Sequence, residues 1–144
     1  MNRDDALPLR AMLADPTMCG VYSVATGKDD DYLEAARSLD FTAIAIDFDG
    51  CAGKDDALAR IANALHFPAW FGGNWDALAD SVADLSWLPA PGYLLLLARA
   101  DAWREADPEA FGTLSAILEE ASTRWAADRT PFWVLVPTRD PPRP

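Results

Sequence analysis

The sequence predicts an α/β fold in which a mainly parallel sheet is covered by helices. Short apolar runs of strand length alternate with segments whose apolar residues recur every three to four positions. This alternation is typical of strand–helix–strand units, and their strands lie parallel in one sheet. The chain has 144 residues, of which 51% are hydrophobic. That is enough for one domain with a core of its own.

Four apolar runs are predicted strands. The first is short, and the other three have the continuous apolar character of strands that are buried on both faces. They cover residues 20–24, 41–48, 93–99 and 132–136. We expect the last strand to end before Pro137, because proline cannot donate a hydrogen bond to a strand ladder.

Helical spacing of apolar residues predicts four helices between these strands. They cover residues 31–39, a segment that begins at Asp55 and ends before Pro68, residues 75–85 and a longer segment that begins at Pro108. Asn74 is a good N-cap for the third helix, and Asp107 precedes Pro108 as the cap of the fourth. Residues 1–18 show no sustained periodicity and are predicted to be a loose lead-in. A single domain then covers residues 19–137, and residues 138–144 form a proline-rich tail.

The charge balance indicates the class of partner. Asp and Glu number 23 against 12 Lys and Arg, which gives a net charge of -11. Phosphate backbones and anionic membranes are bound by clustered Lys and Arg, so we expect no direct binding of nucleic acid or membrane. Cys19 and Cys51 form neither a metal motif nor a disulfide framework, and we see no signal peptide. We therefore expect a cytoplasmic protein with reduced thiols.

Enzymatic chemistry finds little support in the residues. The segment Ala45-Ile-Asp-Phe-Asp-Gly50 resembles the first motif of haloacid-dehalogenase-type phosphatases, but these also need a downstream lysine, and none follows residue 54. His66 is the only histidine, which excludes a multi-histidine metal site, and no serine lies in a G-x-S-x-G motif of the kind that supplies a nucleophile. We expect no catalytic residue, no metal and no cofactor. A metal-dependent phosphatase that uses Asp47 and Asp49 is kept as an alternative.

A column of carboxylates is the feature of the sequence that has the weakest structural explanation. Asp76, Asp80 and Asp84 are four residues apart, and no Lys or Arg occurs between Arg60 and Arg99. Four helical residues turn the chain through about 400°, so the three side chains form one column. Like charges at this spacing destabilise a helix by a few tenths of a kcal/mol per pair. Aromatic residues just upstream, namely Trp70, Phe71 and Trp75, indicate anchors of a binding surface.

The segment Pro68-Ala-Trp-Phe-Gly-Gly-Asn-Trp-Asp-Ala-Leu-Ala-Asp80 resembles the signature of barstar-family ribonuclease inhibitors. Every specified position of that pattern is met, and the resemblance covers about residues 41–136. It implies a two-layer barstar-like fold with a small parallel sheet of three family strands. Residues 19–40 then form an N-terminal strand–helix extension, which adds one strand to that sheet.

The resemblance also implies a function, which is inhibition of a basic ribonuclease, barnase-like or other, by a monomeric antitoxin-like protein. Its acidic helix would mimic RNA phosphates in the active site of the nuclease. Trp70 matches the loop aromatic of the family, Asp76 the first helix acid, Asp80 the central acid and Glu120 the acid of the fourth helix. The best-known member has a tryptophan and a threonine at the positions of Ala79 and Ala83, so this surface is smaller.

The full set of predicted partner-binding residues is Trp70, Asn74, Asp76, Ala79, Asp80, Ala83, Asp84 and Glu120. The same surface allows an alternative, in which the chain is an acidic binding module for a basic protein that is not a nuclease.

Overall fold

Helices and strands alternate along the chain, as the sequence predicts. The computed structural model describes residues 3–69 and 71–139, with side chains from residue 8 onward. The elements in order are α1 (Arg3–Leu13), β1 (Val21–Ala25), α2 (Asp29–Arg37), β2 (Thr42–Asp47), α3 (Lys54–Ala64), α4 (Trp75–Asp84), β3 (Tyr93–Ala98), α5 (Asp101–Ala106), α6 (Pro108–Ala127) and β4 (Phe132–Thr138).

The strands form one four-stranded sheet in the order β1-β4-β3-β2, and every neighbouring pair is parallel. The predicted α/β fold with a parallel sheet is therefore confirmed, and the extra N-terminal strand β1 lies at one edge beside β4. The turn into β3 needs a glycine, because a Cβ atom on Gly92 would lie 2.5 Å from the ring of Phe41.

Side chains of the sheet enter two separate apolar clusters, one on each face, because successive residues of a strand point to opposite sides. On the first face Leu95 and Val134 pack with residues of α3, α4, α5 and α6. On the second face Leu94 and Trp133 pack with residues of α1 and α2. The helices after residue 41 thus form one layer on one face, and the N-terminal residues cover the other face.

The prediction of a loose lead-in over residues 1–18 is wrong, because α1 occupies Arg3–Leu13. Pro8 lies inside this helix and weakens the local signal. Tertiary contacts stabilise it instead. The side chain of Leu13 is 0% exposed, and its carbonyl oxygen accepts a hydrogen bond of 2.9 Å from the indole nitrogen of Trp133.

The prediction that the last strand ends before Pro137 is also wrong, since β4 continues to Thr138. The N–H of Val134 faces β1 and donates to the carbonyl oxygen of Gly20 at 3.0 Å. Alternate N–H groups face opposite neighbours, so position 137 faces the β3 side. Pairing with β3 stops at Leu135, whereas pairing with β1 runs on to Thr138. The missing N–H of Pro137 therefore interrupts no ladder bond.

Both predicted helix caps are present. The Asn74 side chain accepts a hydrogen bond of 2.7 Å from the N–H of Ala77, and the Asp107 side chain accepts one of 3.1 Å from Ala110. The sequence did not predict α5, a single short helix whose Trp103 stacks on Phe48 with 5.4 Å between ring centroids. Within the described residues, no helix is long and apolar enough to cross a membrane.

Candidate partner-binding site

Asp76, Asp80 and Asp84 lie on the exposed side of α4. The opposite side of the helix is buried through Leu78, Ser81 and Val82. An α-helix has 3.6 residues per turn, so residues that are four apart lie on the same side of it. Since the other side is buried, these three side chains point toward solvent. The three carboxylates therefore form the predicted column, and it is exposed to solvent.

The carboxylates of this column take part in no ion pair with the cations that the structure describes. In the described part of the chain, the ion pairs within 4.0 Å belong to Arg60, Arg99 and Arg104, and none of them involves α4. The three carboxylates of α4 are thus available to cations of another molecule.

Helix α6 brings a fourth carboxylate to the column. Glu120 is exposed on α6, and together with Asp80 it lines a notch of about 50 Å³ between the two helices. The rest of the lining is Ala79, Ala83, Ile117, Ala121 and Arg124. The structure thus brings four of the predicted residues together around one depression.

The chemistry of this notch is mixed. Small apolar side chains form much of its lining, which also contains the carboxylates of Asp80 and Glu120 and the guanidinium of Arg124. A water molecule needs about 10–15 Å³ of such space, so the notch has room for only a few non-hydrogen atoms. A notch with this lining can bind a long side chain that has an apolar stem and a cationic head.

The other predicted residues have different positions. Asp76 and Asp84 lie on α4 at either side of the notch lining, and Asn74 is exposed but uses its side chain as the helix cap. Trp70 lies outside the described residues. The predicted set missed Ile117, Ala121 and Arg124. Ile117 lies three residues before Glu120 on the helix and Arg124 four residues after it, and this spacing was a signal that could have identified these two.

The aromatic residues around α4 serve the packing of the loop. Phe67 contacts both Phe71 and Trp87 edge to face, with ring centroids 4.9 Å and 5.7 Å apart. Trp87 donates from its indole nitrogen to the carbonyl oxygen of Leu65 at 3.0 Å. Phe71 and Trp75 are half-buried against the core, so each ring contributes to packing, and their role as anchors of a binding surface stays a prediction.

Asp47 and Asp49, the residues of the phosphatase alternative, are held by arginines. Both carboxylate oxygens of Asp47 accept from the Arg99 guanidinium, and the N–H of Asp49 donates to Asp47 at 2.9 Å. These bonds, first the one from Asp49 and then those from Arg99, lower the pKa of Asp47. Arg60 also donates to the backbone oxygens of both residues, at 3.0 Å and 2.7 Å. A carboxylate in this bidentate pair is poorly suited to attack phosphorus.

No cluster of three or more His, Cys, Asp or Glu side chains arranged to hold a metal ion occurs among the residues described. Cys19 and Cys51 are both free thiols.

Fold and site together define a small α/β domain that presents an acidic helix on its surface. The family model described as Barstar (barnase inhibitor) matches residues 41–137 of the sequence. This match covers more than half of the chain, which therefore belongs to the barstar family. Family members are non-enzymatic inhibitors, so the prediction that the chain is not an enzyme is confirmed. A comparison with curated proteins found no match. Helix α1, strand β1 and helix α2 precede the matched region.

Proposed function

We propose that this chain inhibits a basic ribonuclease of the barnase type by placing α4 and α6 over its active site. The observation that carries the proposal is the unpaired row of Asp76, Asp80 and Asp84 on the exposed side of α4, with Glu120 across the notch. A ribonuclease binds RNA phosphates with arginines and lysines, and carboxylates can take the place of those phosphates in charge-assisted hydrogen bonds. The family membership supports the same partner class.

Asp80 has the central role in this proposal. It is one helical turn from both Asp76 and Asp84, and it shares the notch with Glu120. A partner that covers the column would desolvate Asp80 most completely, and desolvated central residues dominate binding energy. Asp76 and Asp84 act at the rim, where charge mainly guides association. Asn74 contributes by holding the start of α4. In this proposal Trp70 contacts the nuclease beside the column.

The notch sets part of the specificity. Ala79 and Ala83 leave it open, so an arginine or lysine of the nuclease can enter with its aliphatic stem on the alanines and Ile117. Its charged head then lies between Asp80 and Glu120. A nuclease whose surface lacks a long cation at this point should bind less tightly.

The proposed inhibitor is a monomer that acts in the cytoplasm, and it binds neither nucleic acid nor membrane. Its acidic composition supports the last two statements, because both of those partners select clustered Lys and Arg.

A titration of RNA cleavage tests the proposal. Barnase and other basic ribonucleases are mixed with increasing amounts of the chain, and RNA cleavage is followed. We expect full suppression at one inhibitor per nuclease, and we expect this suppression to be lost in Asp80→Ala. Asp55→Ala is the matched control, because it removes the same charge from an exposed position in the first turn of α3.

Two other outcomes would contradict the proposal. Magnesium-dependent hydrolysis of a generic phosphoester by the chain, lost in Asp47→Asn, would support the phosphatase. One-to-one binding of a basic protein that cleaves no RNA, with no suppression of any tested nuclease, would support the alternative acidic binding module.

A further inference from the structure

The N-terminal residues form an apolar groove on the sheet face opposite α4 and α6. Within the described residues, three large apolar side chains are exposed, namely Met12 (37%), Met18 (48%) and Tyr22 (43%). All three line this one groove, whose volume is about 260 Å³. The other lining residues are Ser23, Val24, Tyr32, Trp133 and Leu135. An apolar depression of this kind on a protein surface marks an interaction site more often than isolated exposed residues do.

The groove lies beside the open edge of the sheet. Strand β1 is at the end of the strand order, and the carbonyl oxygen of Gly20 accepts from β4. Alternate residues of a strand face opposite neighbours, so Val21, Ser23 and Ala25 direct their N–H and C=O groups outward. The N–H of Val21 donates to Glu119 Oε2 at 3.0 Å. In the part of the chain that is described, the outward N–H groups of Ser23 and Ala25 have no partner.

The surroundings of this edge are acidic. Glu119 extends from α6 to the outer side of β1, on the sheet face away from the groove. Tyr32 lines the groove, and its burial together with the nearby charges of Asp31 and Asp29 raises the pKa of its phenol. A strand added to β1 would therefore meet apolar side chains on one face and carboxylates beside it.

We propose that β1 and the groove bind an extended segment of a partner protein in which apolar residues alternate with Lys or Arg. The segment adds a fifth strand to the sheet through the outward groups of Ser23 and Ala25. Its apolar side chains enter the groove, and its cations meet Glu119 on the other face, because side chains of a strand alternate between faces. This site is separate from the proposed nuclease surface and does not depend on it.

A second copy of the chain fits this edge poorly. Two copies would bring the same carboxylates of Glu119, Asp29 and Asp31 together, and each copy carries a net charge of -11. Like charges that meet at an interface disfavour association. Charge complementarity therefore selects a basic segment as the occupant.

The test uses a fluorescently labelled peptide of about nine residues that alternates valine and lysine, which is long enough to extend past Ser23 and Ala25 in both directions. Its fluorescence anisotropy is followed as the full chain is added. We expect saturable one-to-one binding with a Kd below about 1 mM. A peptide that alternates valine and glutamate should not bind. A peptide with the same valines and lysines in two blocks should bind at least about tenfold more weakly, because it cannot present one apolar face.

Two variants test whether the peptide binds at β1 and in the groove. Ser23→Pro removes an outward N–H and leaves the bonds to β4 intact, and Ser23→Ala is its control. Met18→Lys puts a positive charge in the groove at an exposed side chain, and Met18→Leu is its control. We expect Ser23→Pro and Met18→Lys each to weaken peptide binding by at least about tenfold, with the controls unchanged. Thermal unfolding identifies any variant that has lost its fold. If Ser23→Pro does not fold, the binding of the peptide to Met18→Lys decides the test.

Three results would overturn the proposal. One is the absence of saturable binding, and another is equal binding of the lysine and glutamate peptides. The third is a dimer in sedimentation that Ser23→Pro dissociates, because a second copy would then occupy the edge.

Discussion

The indole nitrogen of Trp125 donates a hydrogen bond of 2.8 Å to the backbone carbonyl oxygen of Val82. Val82 is in the last turn of α4, where carbonyl groups have no partner within the helix. The indole ring also lies beside Tyr93 and parallel to Phe132, with ring centroids 5.3 Å and 6.5 Å away. One side chain of α6 thus holds the end of α4 against the core.

The first prediction concerns this bond. Trp125→Phe keeps an aromatic ring and leaves the Val82 carbonyl without its donor, so we expect a loss of about 1 kcal/mol in the free energy of unfolding. Inhibition should weaken as well, because Asp80 and Glu120 are then held less firmly. The measurements are denaturant unfolding and a titration of nuclease activity. Trp103→Phe is the control for inhibition, since the Trp103 indole nitrogen is buried without a partner. Equal inhibition by both variants would show that Trp125 does not position the site.

The second prediction separates the acids of the column. Asp80→Ala should weaken binding by at least about 2–5 kcal/mol, mainly through faster dissociation, because it leaves buried cations of the partner unpaired. Asp84→Ala should mainly slow association and reduce its salt dependence. Neither change should lower stability, since each relieves like-charge repulsion along α4. Association and dissociation rates at two salt concentrations check this pattern. If Asp80→Ala binds as tightly as the unchanged chain, the phosphate-mimic hypothesis is wrong.

The third prediction fills the notch. Ala83→Leu adds three carbon atoms at a half-buried position of the lining, and we expect it to block entry of a partner side chain and reduce affinity by at least about tenfold. Stability should change little, because alanine and leucine have similar helix propensities. Ala116→Leu makes the same change at an exposed position on α6 outside the lining and should bind normally. Undiminished affinity of Ala83→Leu, with Asp80→Ala still impaired, would exclude insertion into the notch and leave the inhibitor role intact.

The fourth prediction concerns the face of α6 toward the sheet. Leu118 is 1% exposed within the first apolar cluster, so Leu118→Ala should lower the free energy of unfolding by about 2–5 kcal/mol. Glu120→Ala, at an exposed position two residues further on, should leave it nearly unchanged. Glu119 is unsuitable as this control because it accepts from the N–H of Val21 at 3.0 Å. Denaturant midpoints decide the prediction, and similar midpoints for the two variants would contradict it.

The fifth prediction is a pH dependence at Asp47. The N–H of Asp49 and the Arg99 guanidinium lower its pKa in the folded chain. Its charge therefore contributes stability at pH values above about 3.9, the usual aspartate pKa, and this contribution is lost as pH falls through the lowered value. The thermal midpoint of Asp47→Asn should lie below that of the unchanged chain near neutral pH. The difference should shrink toward about pH 2, and a difference that stays constant would exclude this linkage.

Local signals in the sequence were sufficient for much of the fold. Asn74 and Asp107 cap α4 and α6 as predicted, because a cap depends only on residues within one turn. The parallel arrangement followed from the order of strands and helices. Helix α1 could not be predicted in this way, since Leu13 is held by Trp133, which is 120 residues further along the chain.

The position of Pro137 shows the same limit for strands. Proline lowers the local propensity for a strand wherever it occurs, whereas the structure tolerates it at a place where the pairing of β4 with β3 has already stopped. Only the pairing between neighbouring strands decides this, and it depends on residues far away in the sequence.

The sequence by itself determined the acidic column, because a spacing of four residues on a capped helix places three carboxylates on one side whatever the helix packs against. Tertiary structure alone decided what faces that column. Glu120 and Arg124 reach the notch because Leu118, Ala121 and Trp125 pack α6 beside α4. Helical periodicity sets the direction of each side chain about its own axis, but the distance between two helices depends on how their buried side chains interlock.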